Sequence, residues 1–178
     1  MARVASLTVK TQRFDSLFEQ FYAELFRLAY RVLGDGMETE DCLQEAFLKL
    51  SSAPLVQQQA DGEVGAWLRR VTLNLAFNRL RTARRARARL ETVGRLEGAA
   101  VPTAGPSTAV ERQEEQEEVR AALARVPERQ RACLLLRHSG YSYAEIADTL
   151  GIAVGSVGVL LARAEQAFRA TYRRQTDR

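Results

Sequence analysis

The residues GAWLRRVTLNLAFNRLRTARRARARL, from Gly65 to Leu90, decide how this chain folds. Apolar residues at positions 68, 71, 75 and 80 have the spacing of one face of an amphipathic helix. The remaining surface carries arginines, a tryptophan and two asparagines, which predicts a helix laid along nucleic acid. Arginine would pair with phosphates, and an exposed Trp or Asn would contact an unpaired base. A core helix with a solvated basic face fits this stretch equally well.

The composition is that of an ordinary globular protein, with 178 residues of which 46% are hydrophobic and 27% charged. A net charge of +4 and a pI near 9.4 are compatible with a nucleic-acid partner but do not by themselves indicate one. We find neither a bilayer-spanning apolar run nor a secretory signal, so we expect a cytoplasmic protein without membrane insertion. Cys42 and Cys133 lie on predicted apolar helix faces, and we expect both to be reduced and buried.

Helical segments follow one another in the N-terminal half. A flexible arm over residues 1–12 is predicted to precede a helix from Phe14 to Leu33, which Gly34 ends. A second helix follows it. The polar residues 51–64 then form a loop before the basic helix that begins at Gly65.

The second helix has two contrasting faces. Asp35 is placed to cap it, with Glu38 as the capping-box partner. Its apolar face comprises Met37, Cys42, Leu43, Ala46, Phe47 and Leu50. Its opposite, strongly acidic face comprises Glu38, Glu40, Asp41, Gln44, Glu45 and Lys49. A face of this kind is most often only solvated surface.

A change of composition divides the chain in two. Residues 94–108 (GRLEGAAVPTAGPST) are rich in Gly, Pro and small residues, which predicts a linker between domains 1–93 and 109–178. No stretch alternates as a β-strand does. We therefore predict an all-α chain of two small helical domains joined by a flexible linker.

The second domain contains the spacing of a helix-turn-helix. Ser142 and Glu145 form a capping box, Gly151 lies in a tight turn, and a longer helix follows. In this interpretation residues 155–162 enter the major groove of DNA. The phosphates would then be bound by Arg131, Arg137 and Arg163. A chance helical hairpin is the alternative at this point.

The sequence has no combination of residues typical of an enzyme. The single histidine, His138, lies near a predicted helix end, where it caps carbonyl groups more often than it catalyses. Metal ligands at the required spacing, a Gly-rich phosphate loop and a nucleophile elbow are all missing from the sequence. We therefore expect no catalysis, no cofactor and no metal site.

Three blocks of residues occur here in the order found in one bacterial family. The first is YRVLGD at 30–35 followed by EDCLQEAF at 40–47. The second is AWL at 66–68 with Asn74 and LR at 80–81. The third is PERQR at 127–131, SYAEIA at 142–147 and GSV at 155–157. Over residues 14–170 the chain resembles the sigma-70 family, specifically its extracytoplasmic-function (ECF) group.

The resemblance implies a transcription-initiation factor that binds core RNA polymerase. Docking on the β′ clamp helices would involve Asp41, Gln44, Glu45, Phe47 and Leu48. The −10 promoter element would be bound and opened by Trp67, Arg70, Asn74, Asn78 and Arg81, and loop 51–64 would capture a flipped base. The C-terminal domain would lie on the β flap and contact the −35 element through Arg131, Ser142, Tyr143, Gly155, Ser156, Val159 and Arg163. Binding energy would melt the DNA, an anti-sigma factor would regulate the protein, and the free protein would be a monomer.

The recognition helix departs from the pattern of this family. Members typically continue Gly-Thr-Val with Lys-Ser-Arg, whereas Gly158-Val159-Leu160 stands here and Glu165 replaces a common basic residue. Either Val159 contacts thymine methyl groups, or −35 recognition is weak, or this helix binds protein. Two other functions therefore stay open: a sigma-like protein-interaction regulator with weakened DNA recognition, and a conventional helix-turn-helix transcription regulator.

Overall fold

The computed structural model describes residues 2–53, 58–93 and 107–176, and within these ranges the chain forms seven helices and no strand. The helices are α1 (Ala2–Leu33), α2 (Gly36–Ser51), α3 (Asp61–Val93), α4 (Ser107–Leu123), α5 (Glu128–His138), α6 (Tyr143–Leu150) and α7 (Val154–Thr176). The all-α prediction is confirmed. Most of the predicted linker and positions 54–57 of the predicted loop lie outside the described residues. No single described helix is long and apolar enough to cross a membrane.

Two helix boundaries differ from the prediction. α1 begins at Ala2, so the flexible arm predicted over residues 1–12 is wrong. That stretch contains neither Gly nor Pro, and a helix nucleated in the buried part of α1 propagates readily into it. α3 begins at Asp61, inside the predicted loop, because Asp61 and Glu63 in its first turn complement the helix dipole.

Helices α1, α2 and α3 pack around a core of leucines. The fully buried members are Leu17, Leu25, Leu43, Leu50 and Leu68. Asp35 caps α2 as predicted, accepting from the Glu38 amide at 2.8 Å, but the Glu38 carboxylate pairs with Arg79 at 3.0 Å. Met37 was predicted on the apolar face and is 81% exposed, so that assignment is wrong. Thr39 is buried in its place, because its hydroxyl donates to the Asp35 carbonyl at 2.6 Å.

Helices α6 and α7 form the predicted helix-turn-helix and meet at 90°. The capping box of Ser142 and Glu145 is present at the start of α6. Gly151 ends α6 with a φ of 62°, a left-handed conformation that a residue with a Cβ adopts only under strain. The small core between the two helices is formed by the buried side chains Ile146, Ala147, Val157 and Leu161.

The helix-turn-helix packs against α3 through α6, and α5 packs against α1. One continuous hydrophobic cluster includes Leu28, Leu73 and Phe77 from the N-terminal unit and Ala132, Leu136 and Ile146 from the C-terminal unit. The partly buried Leu150 and Leu80 extend this cluster. The basic helix α3 therefore lies against α6, and the two halves of the protein form a closed arrangement.

Candidate nucleic-acid interface

An exposed stripe runs along α2 and has apolar ends and a polar middle. Met37 is 81% exposed and Leu48 66%, and Asp41 and Gln44 lie between them on the same exposed face. These four residues are called the α2 stripe below. Glu45 lies beside the stripe and is half-buried, since it pairs with Lys49 and with Arg79, each at 3.5 Å. The structure thus groups Asp41, Gln44 and Leu48 of the predicted docking residues on one surface.

Phe47 does not belong to the α2 stripe, because only 3% of it is exposed. Its ring contacts three aromatic rings of α1, with centroids 4.7 Å from Phe18, 6.2 Å from Phe14 and 6.4 Å from Tyr22. The prediction that Phe47 contacts a partner is therefore corrected. Phe47 fixes α2 on α1 and in this way orients the exposed stripe.

Helix α3 carries the residues predicted to bind the −10 element. Asn74 and Asn78 are exposed, and Trp67 is half-buried against the core of the N-terminal unit. Arg81 is also exposed, and it donates to the Asn78 side-chain oxygen and pairs with Glu128 of α5 at 3.5 Å. The structure brings these four residues onto one side of α3, with Arg81 bridging to the C-terminal half.

Arg69 joins the two halves through a buried polar network. Its guanidinium pairs with Glu24 at 3.1 Å, donates to the Thr149 hydroxyl at 3.2 Å and lies 4.7 Å over the ring of Tyr141. The Tyr141 hydroxyl donates to the same Glu24 carboxylate. Burial, together with this hydrogen bond, raises the pKa of Tyr141 above its ordinary value, so the phenol keeps its proton. No sequence pattern indicates this network, because only tertiary packing brings its members together.

Arg70 binds the C-terminal end of α6. Its Nε donates to the Thr149 carbonyl at 2.6 Å, and a terminal nitrogen donates to the Asp148 carbonyl. Carbonyl groups in the last turn of a helix have no partner within the helix, and the helix dipole favours a cation there. Arg70 was predicted to contact −10 DNA. In the closed arrangement its guanidinium instead donates to backbone carbonyls of the C-terminal half.

Arg131 is likewise held between the two halves. Only 6% of it is exposed, and its guanidinium lies over the ring of Phe77. The prediction that Arg131 pairs with DNA phosphate is corrected for the closed arrangement, because its side chain is packed inside. Arg137 and Arg163, predicted for the same role, are exposed.

The N-terminal end of α7 presents the surface predicted for the −35 element. Val159 is 54% exposed, Gly155 and Ser156 are exposed, and Arg163 follows one turn after Val159. Tyr143 of α6, 42% exposed, lies at the start of the preceding helix. These predicted residues therefore share one end of the helix-turn-helix.

Ser142 has a local structural role beside this surface. Its hydroxyl accepts from the Glu145 amide at 3.3 Å, and its own amide donates to the Glu145 carboxylate at 2.8 Å. The Ser142 hydroxyl also donates to that carboxylate at 2.7 Å, and the hydrogen bonds from the Ser142 amide and hydroxyl to the carboxylate lower the pKa of Glu145. Arg137 donates to the Tyr141 carbonyl at 3.2 Å and lies 5.6 Å from the centroid of the Tyr143 ring, which it helps to position.

The fold and these surfaces define a class of protein. Within the described ranges no group of three or more His, Cys, Asp or Glu residues is placed to hold a metal ion. The chain combines a basic helix carrying exposed asparagines with a helix-turn-helix on a second helical unit. This is the class of all-helical, DNA-binding transcription proteins.

Comparison with known proteins identifies the family. Residues 17–86 match the family profile "Sigma-70 region 2", and residues 116–168 match "Sigma-70, region 4". The ECF RNA polymerase sigma factor SigM of Mycobacterium tuberculosis is 35% identical over 153 residues, which are 85% of this chain and 72% of SigM. SigL of the same organism is 30% identical over 173 residues, 96% of each chain. The chain belongs to the ECF group of sigma-70 family sigma factors.

One further relative and one solved structure are similar to this chain. SigE of Mycolicibacterium smegmatis is 33% identical over 158 residues, and the aligned part spans 87% of this chain but only 60% of SigE. A chain in the co-crystal structure of the sigma factor RpoE in complex with the anti-sigma factor NepR from Bartonella quintana has the same fold. Its TM-score is 0.58 at 19% identity, covering 90% of this chain and 96% of that one.

Proposed function

We propose that this sigma factor binds core RNA polymerase and directs it to specific promoters, where it binds and melts the −10 element and contacts the −35 element. Sigma factors are transcription-initiation factors and not enzymes. The observation that carries the proposal is the α2 stripe, with exposed Met37 and Leu48 at its ends. A partner helix laid along this stripe would bury both apolar side chains and could hydrogen-bond to Asp41 and Gln44 between them.

The proposal assigns one role to each part of the chain. Residues 1–93 dock on the β′ clamp helices through the α2 stripe and bind the −10 element. Residues 94–108 link the halves, and residues 109–178 lie on the β flap and contact the −35 element. The work takes place in the cytoplasm, where polymerase and promoter DNA meet.

Melting in this proposal draws on binding energy alone. Unpairing a base costs a few kcal/mol, and base stacking on aromatic side chains returns about 1–3 kcal/mol per base. Trp67 supplies an aromatic surface, and the exposed Asn74 and Asn78 supply amide groups for unpaired base edges.

The closed arrangement adds a condition to promoter binding. Arg70 is occupied by the carbonyls of α6, Arg81 by Glu128, and Arg131 by Phe77. Arg131 contacts DNA only after the two halves separate, and the exposed Arg70 and Arg81 must first leave these partners. We assign that separation to docking on core polymerase, and we expect an anti-sigma factor, of the kind bound in the structural neighbour, to oppose it.

Run-off transcription with purified core polymerase on a library of promoter fragments tests the proposal. Wild type should initiate at specific sequences. The double variant Trp67→Ala/Asn74→Ala should lose initiation and keep core binding, because both residues lie outside the α2 stripe. The double variant Asp41→Ala/Leu48→Ala should lose core binding. Glu19→Ala, which removes an exposed acid of α1, is the matched control.

Two other results of these experiments would indicate one of the two alternative functions. Core binding without initiation on any template would indicate a sigma-like interaction regulator, a function that the uncharged start of α7 also favours. Specific, strongly salt-dependent binding to duplex DNA without core polymerase would indicate a conventional helix-turn-helix regulator.

A further inference from the structure

The outward face of α7 is uncharged where a recognition helix enters DNA. Its first nine residues are VGSVGVLLA, and Ser156 alone among them has a polar side chain. Val157, Leu161 and Ala164 are buried, which fixes the orientation of the helix. The exposed stripe opposite them is formed by Gly155, Val159, Ala162 and Gln166.

Val159 is the largest side chain in the entering part of this stripe. It is 54% exposed, whereas Gly155 one turn before it and Ala162 one turn after it are small. A branched apolar side chain between small neighbours protrudes, and the backbone on either side can approach the floor of the groove closely. Within this stripe, Val159 is therefore the one residue that presents an isopropyl group to the bases.

We infer that Val159 determines promoter specificity by packing on the C5-methyl group of a thymine in the −35 element. This inference rests on the proposed function. Guanine is recognised by paired donors of Arg or Lys, and adenine by the amide of Asn or Gln. An apolar side chain matches only the thymine methyl group among the major-groove features.

Neighbouring residues support such a contact without specifying a base. Arg163 is exposed one turn after Val159 and can bind phosphate. Glu165, which would repel phosphate, pairs with Arg169 at 3.5 Å. Gly158 faces the ring of Tyr143, and a methyl group placed there would lie 3.8 Å from that ring, an ordinary contact. There is therefore room for a side chain at position 158, and the proposed contact of Val159 does not require a glycine there.

Replacing thymine by deoxyuridine removes only the methyl group and so tests the inference directly. The holoenzyme of wild-type chain and core polymerase first selects −35 sequences from a randomised library. Each thymine of the selected element is then replaced in turn by deoxyuridine, and promoter affinity is measured. One position should weaken binding by about fourfold, the effect of one buried methyl group.

Variants identify the side chain that makes the contact. In Val159→Ala the same deoxyuridine replacement should change affinity by less than twofold. Val154→Ala removes the other exposed valine of this helix end, 51% exposed, and should keep the full effect. Val159→Arg should change the base selected at this position from thymine to guanine.

The outcomes separate the inference from the proposed function. Specific, core-dependent initiation with no thymine that responds to loss of its methyl group would overturn the inference alone. An equal deoxyuridine effect in wild type and Val159→Ala would also overturn it. Absence of core-dependent initiation on every template would overturn both, and binding of this face to another protein would then be the function to pursue.

Discussion

The guanidinium of Arg131 lies over the ring of Phe77, with 4.3 Å between its central carbon and the ring centroid. Arg131 belongs to the C-terminal half and Phe77 to α3, and they are only 6% and 4% exposed. A cation over an aromatic face is worth more when both groups are desolvated. This contact therefore helps to hold the halves together.

Replacing Arg131 should weaken the contact between the two halves and lower the stability of the protein. We expect Arg131→Met, which keeps the apolar stem and removes the stacked cation, to lower the free energy of unfolding by about 2 kcal/mol. Urea unfolding followed by circular dichroism measures the change. Arg125→Met removes an exposed cation of the same half and should change stability by less than about 0.5 kcal/mol. Equal effects of the two substitutions would contradict the prediction.

The phenol of Tyr141 makes a second connection between the halves. Its hydroxyl donates to Glu24, which also pairs with the buried Arg69. Hydrogen bonds to charged groups contribute about 1.5–3 kcal/mol, so Tyr141→Phe should reduce the free energy of unfolding by that amount. Tyr143→Phe, at a ring that is 42% exposed, is the control and should have little effect. A Tyr141→Phe protein as stable as wild type would show that the network contributes nothing net.

Local signals in the sequence predict most of the fold. Asp35 and Ser142 cap α2 and α6 as predicted, because a cap depends on residues within one turn. Burial on a helix face is harder to predict. Met37 was expected to be buried and is exposed, whereas Thr39 is buried because its hydroxyl is hydrogen-bonded to the Asp35 carbonyl. The network around Arg69 cannot be predicted from sequence, since it depends on how the two halves pack. The sequence cannot show whether Arg70 and Arg131 bind DNA phosphate or join the two halves, because an arginine side chain suits both roles.

Gly34, just after the end of α1, lies beside the guanidinium of Arg120 from α4. It has a φ of 76°, and a methyl group there would lie 2.6 Å from a terminal nitrogen of Arg120. Gly34→Ala should therefore lower the free energy of unfolding by about 1–2 kcal/mol, from the left-handed backbone alone. Gly36→Ala, with nothing within 4 Å of the new methyl group, should be neutral or slightly stabilising. Denaturation midpoints that fall equally for both variants would contradict this explanation.

Phe47 and Leu48 are neighbours in sequence and should separate stability from docking. Phe47→Ala empties a buried site and should cost about 3–5 kcal/mol of unfolding free energy. Leu48→Ala, at a residue that is 66% exposed, should leave stability within about 0.5 kcal/mol. If the α2 stripe docks on polymerase, Leu48→Ala should weaken core binding by roughly fivefold or more. Unchanged core affinity in a folded Leu48→Ala protein would remove Leu48 from the interface.

The buried thiol of Cys42 should make the protein less stable at alkaline pH. Burial raises its pKa from 9.0 to about 11, although nearby Arg79 opposes the shift. The unfolded chain loses this proton at a lower pH than the folded chain does. The stability from the neutral thiol is therefore complete below pH 9.0 and is lost as the pH rises towards about 11.

Urea unfolding at a series of pH values across this window measures the loss. The free energy of unfolding of wild type should fall more steeply than that of Cys42→Ala, by up to about 1.4 kcal/mol per pH unit. Below the window the two curves should run parallel, because the thiol is then protonated in both states. Since the Cys42 thiol contacts the Thr72 carbonyl at 3.7 Å, the variant will have a lower baseline, and the difference in slope is the decisive quantity. Parallel curves across the whole window would show that Cys42 titrates alike in the folded and unfolded chain.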